Sequence, residues 1–195
     1  MASAIEAVRD GDVELLARPG HFPNGPAVIR TLVQAGADVN AHCEGGHQET
    51  PLHWAASTDD VEALDALVEC GADLEAGGSV IDGGSALSDA VAFGQWRAAR
   101  RLVELGATVN LWHAAALGMV ERVKELAPAA SPEDVTNAFW CACHGGRRDT
   151  AEYLLDHGAE LDWVGHDERT PLGAARRSGA DELAEWLEAR GAKAA

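Results

Sequence analysis

The chain has 195 residues, of which 32 are acidic and 15 are basic, so its formal net charge is −17. A charge of this sign repels phosphate backbones, which excludes nucleic acid as an expected partner. The four cysteines lack the spacing of a disulfide framework, residues 1–10 lack an apolar signal core, and no apolar run reaches the ~20 residues of a membrane helix. We therefore expect a cytoplasmic protein with reduced thiols and no contact with a membrane.

The first 48 residues predict a helix pair followed by an incomplete unit. Two helical segments within residues 1–18 are separated by Gly11 and Asp12, and the segment PGHFPNGP, residues 19–26, has the proline and glycine content of a loop. Pro26 suits the first turn of the next helix, which the segment GADVN, residues 36–40, ends at a glycine. No complete first helix precedes it.

Residues 49–76, ETPLHWAASTDDVEALDALVECGADLEA, contain the clearest unit of the chain. Thr50 and Pro51 predict the start of a short helix, because a hydroxyl can accept the free amide hydrogens there and proline suits the first turn. Asp59 begins a break before a second helix, which Gly71 ends in a left-handed conformation. One face of the second helix carries four apolar residues at spacings of three and four: Val61, Leu64, Leu67 and Val68.

The segments TPLHWAA, residues 50–56, and GADLEA, residues 71–76, resemble the ankyrin repeat. The resemblance implies an all-α fold, an ankyrin-repeat α-solenoid of about six helix-turn-helix repeats joined by short hairpin loops. A single repeat cannot bury its apolar face, so neighbouring repeats stack into one core. The glycines that end the second helices, Gly36, Gly71 and Gly106, are each 35 residues apart, which is close to the period of about 33 in this family.

The later repeats depart from this pattern in identifiable ways. Ser85 and Ala86 replace the usual Thr-Pro, and residues 111–127 form a compact unit without a projecting loop or a GAD ending. Ser131 then predicts a well-capped helix, since a first-turn proline and two acidic residues follow it. The last two units end at Gly158 and Gly191, which are 33 residues apart.

We therefore predict a single ankyrin-repeat domain over residues 1–195. Its predicted parts are an N-terminal capping repeat, five internal repeats, of which the first is shortened and the fourth is compact, and a C-terminal capping repeat: residues 1–18, then 19–48, 49–83, 84–110, 111–130 (compact) and 131–168, then 169–195.

The resemblance implies that the first helices and hairpin tips line the concave surface that faces the ligand. We therefore predict a monomeric module that binds a protein partner and needs no cofactor or metal. Asp89 is expected to give the groove an acidic end, and Arg176 and Arg177 a basic end. The predicted binding residues are Trp54, Asp89, Phe93, Trp112, His113, Trp140, Cys141, His144, Trp163, His166 and Arg176.

The alternative function is a small-molecule binding protein or an enzyme with a pocket lined by Trp, His, Asp and Cys on the same face. Asp89, His113 and Cys141 occupy equivalent positions in three repeats, an arrangement that suggests an acid–imidazole–thiol set. Adjacent helices lie ~8–10 Å apart, however, whereas a proton relay needs contacts of ~2.6–3.2 Å. We therefore lean towards a protein that is not an enzyme, and expect His53 to bond the turn of its own repeat.

Two groups of residues suggest a metal site without predicting one. On a helix Cys141 and His144 share a face while Cys143 points elsewhere, so this spacing supplies two ligands at most. The loop of residues 41–49 carries His42, Cys43, Glu44 and His47, but it lacks the two correctly spaced ligand pairs that zinc sites need.

Overall fold

The computed structural model describes residues 24–43, 48–81 and 83–194. These residues form eleven α-helices joined by turns and loops, and they contain no strand, which confirms the predicted all-α fold. None of the described helices is both long enough and apolar enough to cross a bilayer. The predicted N-terminal capping repeat, residues 1–18, lies outside the described residues and stays a prediction, as does most of the loop that follows it.

One helix is followed by five helix-turn-helix pairs in the described part of the chain. The single helix is α1, Gly25–Gln34. The pairs are, in chain order, α2 (Pro51–Ser57) and α3 (Val61–Glu69), α4 (Ala86–Ala92) and α5 (Trp96–Glu104), α6 (Leu111–Leu117) and α7 (Val120–Leu126), α8 (Pro132–His144) and α9 (Arg148–Asp156), and α10 (Pro171–Arg177) and α11 (Asp181–Ala189). A short 3₁₀ turn follows α7 at Ala127–Ala129, and a non-helical turn at His166–Glu168 precedes α10.

The helices form two compact units, one up to Thr108 and one from Val109 on. In the first unit α1 packs on α3, α2 packs on α4, and α3 packs on α5. In the second unit α6 packs on α8, α8 on α10, and α7 on α9. Within each unit, first helices therefore pack on first helices and second helices on second helices, as stacked repeats require.

The break at Asp59 and Asp60 does more than separate two helices. Asp59 adopts a left-handed conformation with φ of 57°, and its Oδ1 accepts a hydrogen bond of 2.7 Å from the amide of Ala98 in the next repeat. The Oδ1 of Asp60 caps α3 by accepting a bond of 2.9 Å from the amide of Ala63. The two carboxylates thus satisfy free amides at the starts of two neighbouring second helices.

The hairpins that join repeats of the first unit are also linked by polar side chains. Asn40 accepts a hydrogen bond of 2.8 Å from the amide of Asp73 and donates one of 3.2 Å to the carbonyl of Gly71. One repeat later, Glu75 accepts a bond of 2.7 Å from the amide of Thr108. These bonds satisfy backbone groups that the turns leave without helical partners.

The compact repeat and the helix after it follow the sequence prediction. Asn110 caps α6 directly after the first unit, accepting a bond of 3.0 Å from the amide of His113, so no hairpin projects here. The Oγ of Ser131 accepts a bond of 3.1 Å from the amide of Asp134, which confirms the predicted start of α8. With 13 residues α8 is longer than the other first helices, which have 7 each.

Replacing Leu67 or Leu102 with alanine should lower the free energy of unfolding by ~2–5 kcal/mol. Both side chains are fully buried at 0% exposure, one on α3 and one on α5, so each deletion leaves a cavity between repeats. Urea denaturation of the whole chain measures the effect. The matched controls are Glu62→Ala and Arg100→Ala, exposed positions on the same two helices, and leucine variants no less stable than these controls would contradict the prediction.

Candidate recognition surfaces

The turn after each first helix fixes which residues are equivalent between repeats. In every pair the last amide of the turn bonds back to an alanine carbonyl of the first helix, at distances of 2.7–3.0 Å. The alanines are Ala55, Ala90, Ala114, Ala142 and Ala175. Counting back two positions gives His53, Ser88, Trp112, Trp140 and Gly173, and counting back one gives Trp54, Asp89, His113, Cys141 and Ala174, as the sequence predicted. The start of the compact repeat departs from this alignment by one residue, because His113 takes the capping-box position after Asn110 that His53 takes after Thr50.

His53 has a structural function that extends beyond its own repeat. Its Nδ1 accepts a hydrogen bond of 3.2 Å from the amide of Thr50, and its Nε2 lies 3.2 Å from the carbonyl of Gly84. The ring therefore carries its proton on Nε2 and donates it to the carbonyl. Burial lowers the pKa of His53, which keeps the ring neutral in this position.

In the second unit Trp140 makes the corresponding bond to the carbonyl before a first helix, which the sequence analysis did not predict. Its side chain is 5% exposed, and its Nε1 donates a hydrogen bond of 2.8 Å to the carbonyl of Arg169, the residue just before the cap of α10. Gly84 stands in the corresponding place before Ser85, the N-terminal capping residue of α4. The equivalence of Trp140 with His53 is the sequence signal that could have revealed this bond.

Two tryptophans and two histidines come together in the second unit, and we name them the Trp–His cluster: Trp140, His144, Trp163 and His166. The ring of Trp140 stacks on His144 at 5.5 Å and meets His166 edge-on at 5.1 Å, while Trp163 meets His166 at 6.1 Å. Trp140 is buried, His144 and Trp163 are half-buried, and His166 is exposed. The cluster thus exposes aromatic surface that rests on the buried ring of Trp140.

Two small features hold the outer rings of the cluster in place. Asn137, at the position equivalent to Thr50, lies with its Oδ1 2.9 Å from the Nε2 of His166. A Cβ at Gly165 would come within 2.2 Å of the Trp163 ring and 2.9 Å of the Trp140 ring, so this close approach needs glycine. Neither Asn137 nor Gly165 was among the predicted binding residues.

A second aromatic surface lies in the first unit. Trp54 on α2 and Phe93, the residue after α4, line an open pocket of about 280 Å³ together with Glu49 and Ser57. We name it the Trp54–Phe93 pocket. Phe93 is 50% exposed although it is a large apolar residue, and Trp54 is half-buried. Both aromatic residues were predicted as binding residues, whereas Glu49 and Ser57 were not.

Asp89 lies inside the protein instead of facing a ligand. Its carboxyl is 0% exposed and accepts a hydrogen bond of 2.6 Å from the Oγ of Ser79, in the hairpin that precedes α4. Burial raises the pKa of Asp89, and its second oxygen has no hydrogen-bond partner. The expectation that Asp89 forms the acidic end of a surface groove is therefore wrong, because a fully buried carboxyl offers no surface to a partner.

The other two members of the suggested acid–imidazole–thiol set are also buried, and both belong to the second unit. His113 is 3% exposed, with its Nδ1 3.4 Å from the amide of Asn110 and its ring against half-buried Trp112 at 4.0 Å. Cys141 is 4% exposed, and burial raises the pKa of its thiol to about 12. A thiol with this pKa stays protonated at neutral pH and is a poor nucleophile.

Arg176 pairs with the second helix of its own repeat. Its Nη2 lies 2.6 Å from the Oε1 of Glu188 on α11, and both side chains are about half exposed. The positive charge of Arg176, which was predicted to form the basic end of a groove, is therefore partly compensated by the carboxylate of Glu188.

The described residues contain no group of three or more His, Cys, Asp or Glu side chains that could hold a metal ion. The loop considered from the sequence includes Glu44 and His47, which lie outside the described residues. His42 and Cys43, at its start, are described, and the Nδ1 of His42 lies 2.5 Å from the carbonyl of Gln48.

These stacked helix pairs define a helical repeat protein, and comparison with known sequences specifies the family. A family model described as "Ankyrin repeats (3 copies)" matches residues 16–112 and 111–194. The chain therefore belongs to the ankyrin repeat family, whose repeats are protein–protein interaction modules.

Individual relatives share moderate sequence identity with the chain. It is 27% identical over 166 residues to the ankyrin repeat and KH domain-containing protein mask-1 of Caenorhabditis elegans, an alignment that covers 85% of this chain and 6% of that protein. The chain thus spans only a small part of the length of this relative. Among solved structures, the crystal structure of the human ASB11 ankyrin repeat domain is similar, with a TM-score of 0.49 and 24% identity, covering 99% of this chain and 85% of that one.

Replacing Asp89 with asparagine should change how the stability of the protein depends on pH. A carboxyl whose folded pKa is raised contributes stability that is complete below its unfolded pKa and is lost as pH rises through its folded pKa. Asparagine does not titrate. The free energy of unfolding of Asp89→Asn should therefore rise relative to that of the unchanged protein as the pH increases above about 4, the pKa of an aspartate in the unfolded chain.

Urea titrations of dilute samples across this pH range measure the difference between the two proteins. Glu62→Gln, at an exposed carboxylate of α3, is the matched control. A difference between Asp89→Asn and the unchanged protein that stays constant with pH would show that the folded environment does not favour the protonated carboxyl.

Proposed function

We propose that this chain is a protein-binding module that recognises its partner through the face formed by the first helices and hairpin tips of its repeats. Membership of the ankyrin repeat family supports binding of a protein, and the Trp–His cluster is the observation that supports this particular face. Tryptophan is enriched among the few residues that supply most of the binding energy of interfaces. Half-buried Trp163 is therefore the proposed anchor.

The cluster favours binding because its outer rings are already held in one arrangement. The buried Trp140 ring supports His144 and His166 from below, and Asn137 holds His166 by a hydrogen bond. Association loses less conformational entropy when contact side chains are ordered before the partner arrives. The apolar rings and polar edges suit an interface that is apolar at its centre and polar around it.

The hairpin that carries Trp163 also presents an exposed apolar side chain and a constrained backbone. Val164 is 56% exposed, next to Trp163. Asp167 and Glu168 both have positive φ, at 56° and 57°, a conformation that costs roughly 1–2 kcal/mol for a residue other than glycine. Such residues persist only where their surroundings hold them, and they concentrate at binding sites. This conformation supports recognition by the hairpin tip.

We further infer that the whole chain acts as one ankyrin-repeat domain of about six repeats and as a monomer in the cytoplasm. The period of the glycines supports the repeat count. The four free cysteines, two of them buried, suit a reducing compartment.

Replacing Trp163 with alanine should weaken binding of the partner by ~2 kcal/mol, a factor of about 30, as for an interface anchor. The partner is first captured from native lysate by the unchanged protein and identified by mass spectrometry. Calorimetric titration then gives its affinity for each variant. Trp96→Ala is the matched control, because Trp96 lies on a second helix, and it should keep full affinity.

Two further variants separate recognition from folding. Trp140→Ala should lower the melting temperature, because it removes the hydrogen bond to Arg169 and the buried base of the cluster. Glu69→Ala, at an exposed position on α3, should leave the affinity unchanged, and the loss of its surface ion pair with Arg30 should cost less than about 1 kcal/mol of stability. If Trp163→Ala retains full affinity for every captured partner, the Trp–His cluster is not the recognition surface and the proposal fails.

A further inference from the structure

We propose that the Trp–His cluster binds a tyrosine side chain of the partner protein, whose phenolic O–H donates a hydrogen bond to the Nδ1 of His166. This inference rests on the proposed function and specifies which side chain the partner supplies. It follows from a chain of contacts in the second unit that fixes where His166 carries its proton. The position of that proton decides whether the ring offers a partner a donor or an acceptor.

The chain of contacts begins at the buried thiol of Cys141. Burial raises the pKa of this thiol to about 12, so the sulfur keeps its hydrogen at neutral pH. The Sγ of Cys141 lies 3.8 Å from the Oδ1 of Asn137, one turn earlier on α8, and the thiol donates to this oxygen. The contact therefore identifies the oxygen of the Asn137 amide as the atom that faces these donors.

The same oxygen fixes the tautomer of His166. The Oδ1 of Asn137 lies 2.9 Å from the Nε2 of His166. An amide oxygen has no hydrogen to donate, so the Nε2 of the neutral ring carries the proton and the Nδ1 carries a lone pair. No other described residue bonds this Nδ1, and His166 is exposed. The cluster therefore presents a hydrogen-bond acceptor to a partner.

The backbone of the hairpin holds this acceptor in one place relative to the aromatic rings. The carbonyl of Arg169 accepts a bond of 2.8 Å from the Nε1 of Trp140 and a bond of 2.9 Å from the amide of Gly165. The amide of Arg169 donates a bond of 3.2 Å to the carbonyl of His166. Both the side chain and the backbone of His166 are thus tied to α8, so a partner has little left to order when it binds.

The surroundings of His166 favour an aromatic side chain that ends in a donor. Half-buried Trp163 meets His166 edge-on at 6.1 Å, and the neighbouring Val164 is 56% exposed. An aromatic ring gains edge-to-face contact with tryptophan in addition to the apolar area that it buries. Serine and threonine bring a hydroxyl without the ring, whereas phenylalanine brings the ring without a donor. Tyrosine supplies both, and its O–H needs a hydrogen-bond partner when it is buried.

The tautomer is measured first, on the whole chain without a partner. Long-range ¹⁵N–¹H correlation spectra in alkaline buffer, where imidazoles are neutral, distinguish a protonated Nε2 from a protonated Nδ1. His166, assigned with His166→Asn, should be the Nε2–H tautomer. Asn137→Leu removes the acceptor and should contain more of the Nδ1–H tautomer, whereas Asn137→Asp keeps an acceptor and should not. If Asn137→Leu contains no more Nδ1–H tautomer than the unchanged protein, the inference fails.

Blocked amino acids then test the choice of side chain. N-acetyl-tyrosine amide is titrated into the ¹⁵N-labelled chain, and the indole N–H resonance of Trp163, assigned with Trp163→Phe, is followed by NMR. N-acetyl-O-methyltyrosine amide is the control that keeps the ring and the oxygen but has no donor, and N-acetyl-phenylalanine amide lacks the oxygen. The tyrosine amide should shift the resonance saturably and bind on the order of fivefold more tightly than either control, as expected for one hydrogen bond.

Paired variants test the acceptor itself. In His166→Asn the amide oxygen can take the place of Nδ1, so this variant should keep the preference for tyrosine amide. In His166→Gln the amide reaches the place of Nε2 instead, so this variant should bind the three amides equally. Since His166 is exposed, both variants should melt close to the unchanged protein. Phe93→Ala, at a half-exposed aromatic residue of the first unit, is the matched control and should leave all three affinities unchanged.

The inference is overturned if the three amides bind equally to the unchanged protein, or if none of them shifts the Trp163 resonance saturably. It is also overturned if His166 is the Nδ1–H tautomer, if His166→Gln keeps the preference for tyrosine amide or if His166→Asn loses it. These results leave the effect of Trp163→Ala on partner affinity untouched, so the inference can fail while the proposed function holds. Conversely, full partner affinity in Trp163→Ala together with the expected amide preference contradicts the proposed function alone.

Discussion

The structure depends on satisfying one backbone carbonyl that lies just before the first helix of a repeat. In the first unit His53 donates to the carbonyl of Gly84, and in the second unit Trp140 donates to that of Arg169. A buried carbonyl without a partner destabilises the folded protein, so a donor must reach it from the preceding repeat. In these two repeats the bond ties the following hairpin to the helix behind it and so helps to position the side chains that the hairpin carries.

The same requirement explains why some promising residues are structural. Asp89 bonds the hairpin residue Ser79, and Asp59 caps a helix of the following repeat. Both carboxyls are used to satisfy backbone or loop groups within the first unit. The position next to the donor is buried in most repeats, as at Asp89, His113 and Cys141, whereas Trp54 at this position is half-buried and lines a pocket.

The two aromatic surfaces are built differently. The Trp–His cluster is supported from beneath by a buried ring and exposes aromatic edges, as expected for an apolar anchor site. The Trp54–Phe93 pocket is open and is lined by residues of two neighbouring repeats, with Glu49 and Ser57 beside the two aromatic residues.

The sequence alone determined the repeat architecture, because caps, breaks and glycine stops are local features: Thr50, Asp59 and Ser131 act where the pattern predicted. It also determined which residues are equivalent at the turns, but it did not predict that His113 takes the capping position of His53 in the compact repeat. Only the tertiary structure decided that Asp89 is buried while Phe93 is half exposed, because burial depends on how the adjacent repeat and its hairpin pack. The meeting of Trp140, His166 and Trp163 was likewise decided by the fold, since these rings come from separate segments that are brought together only when the hairpin folds back onto α8.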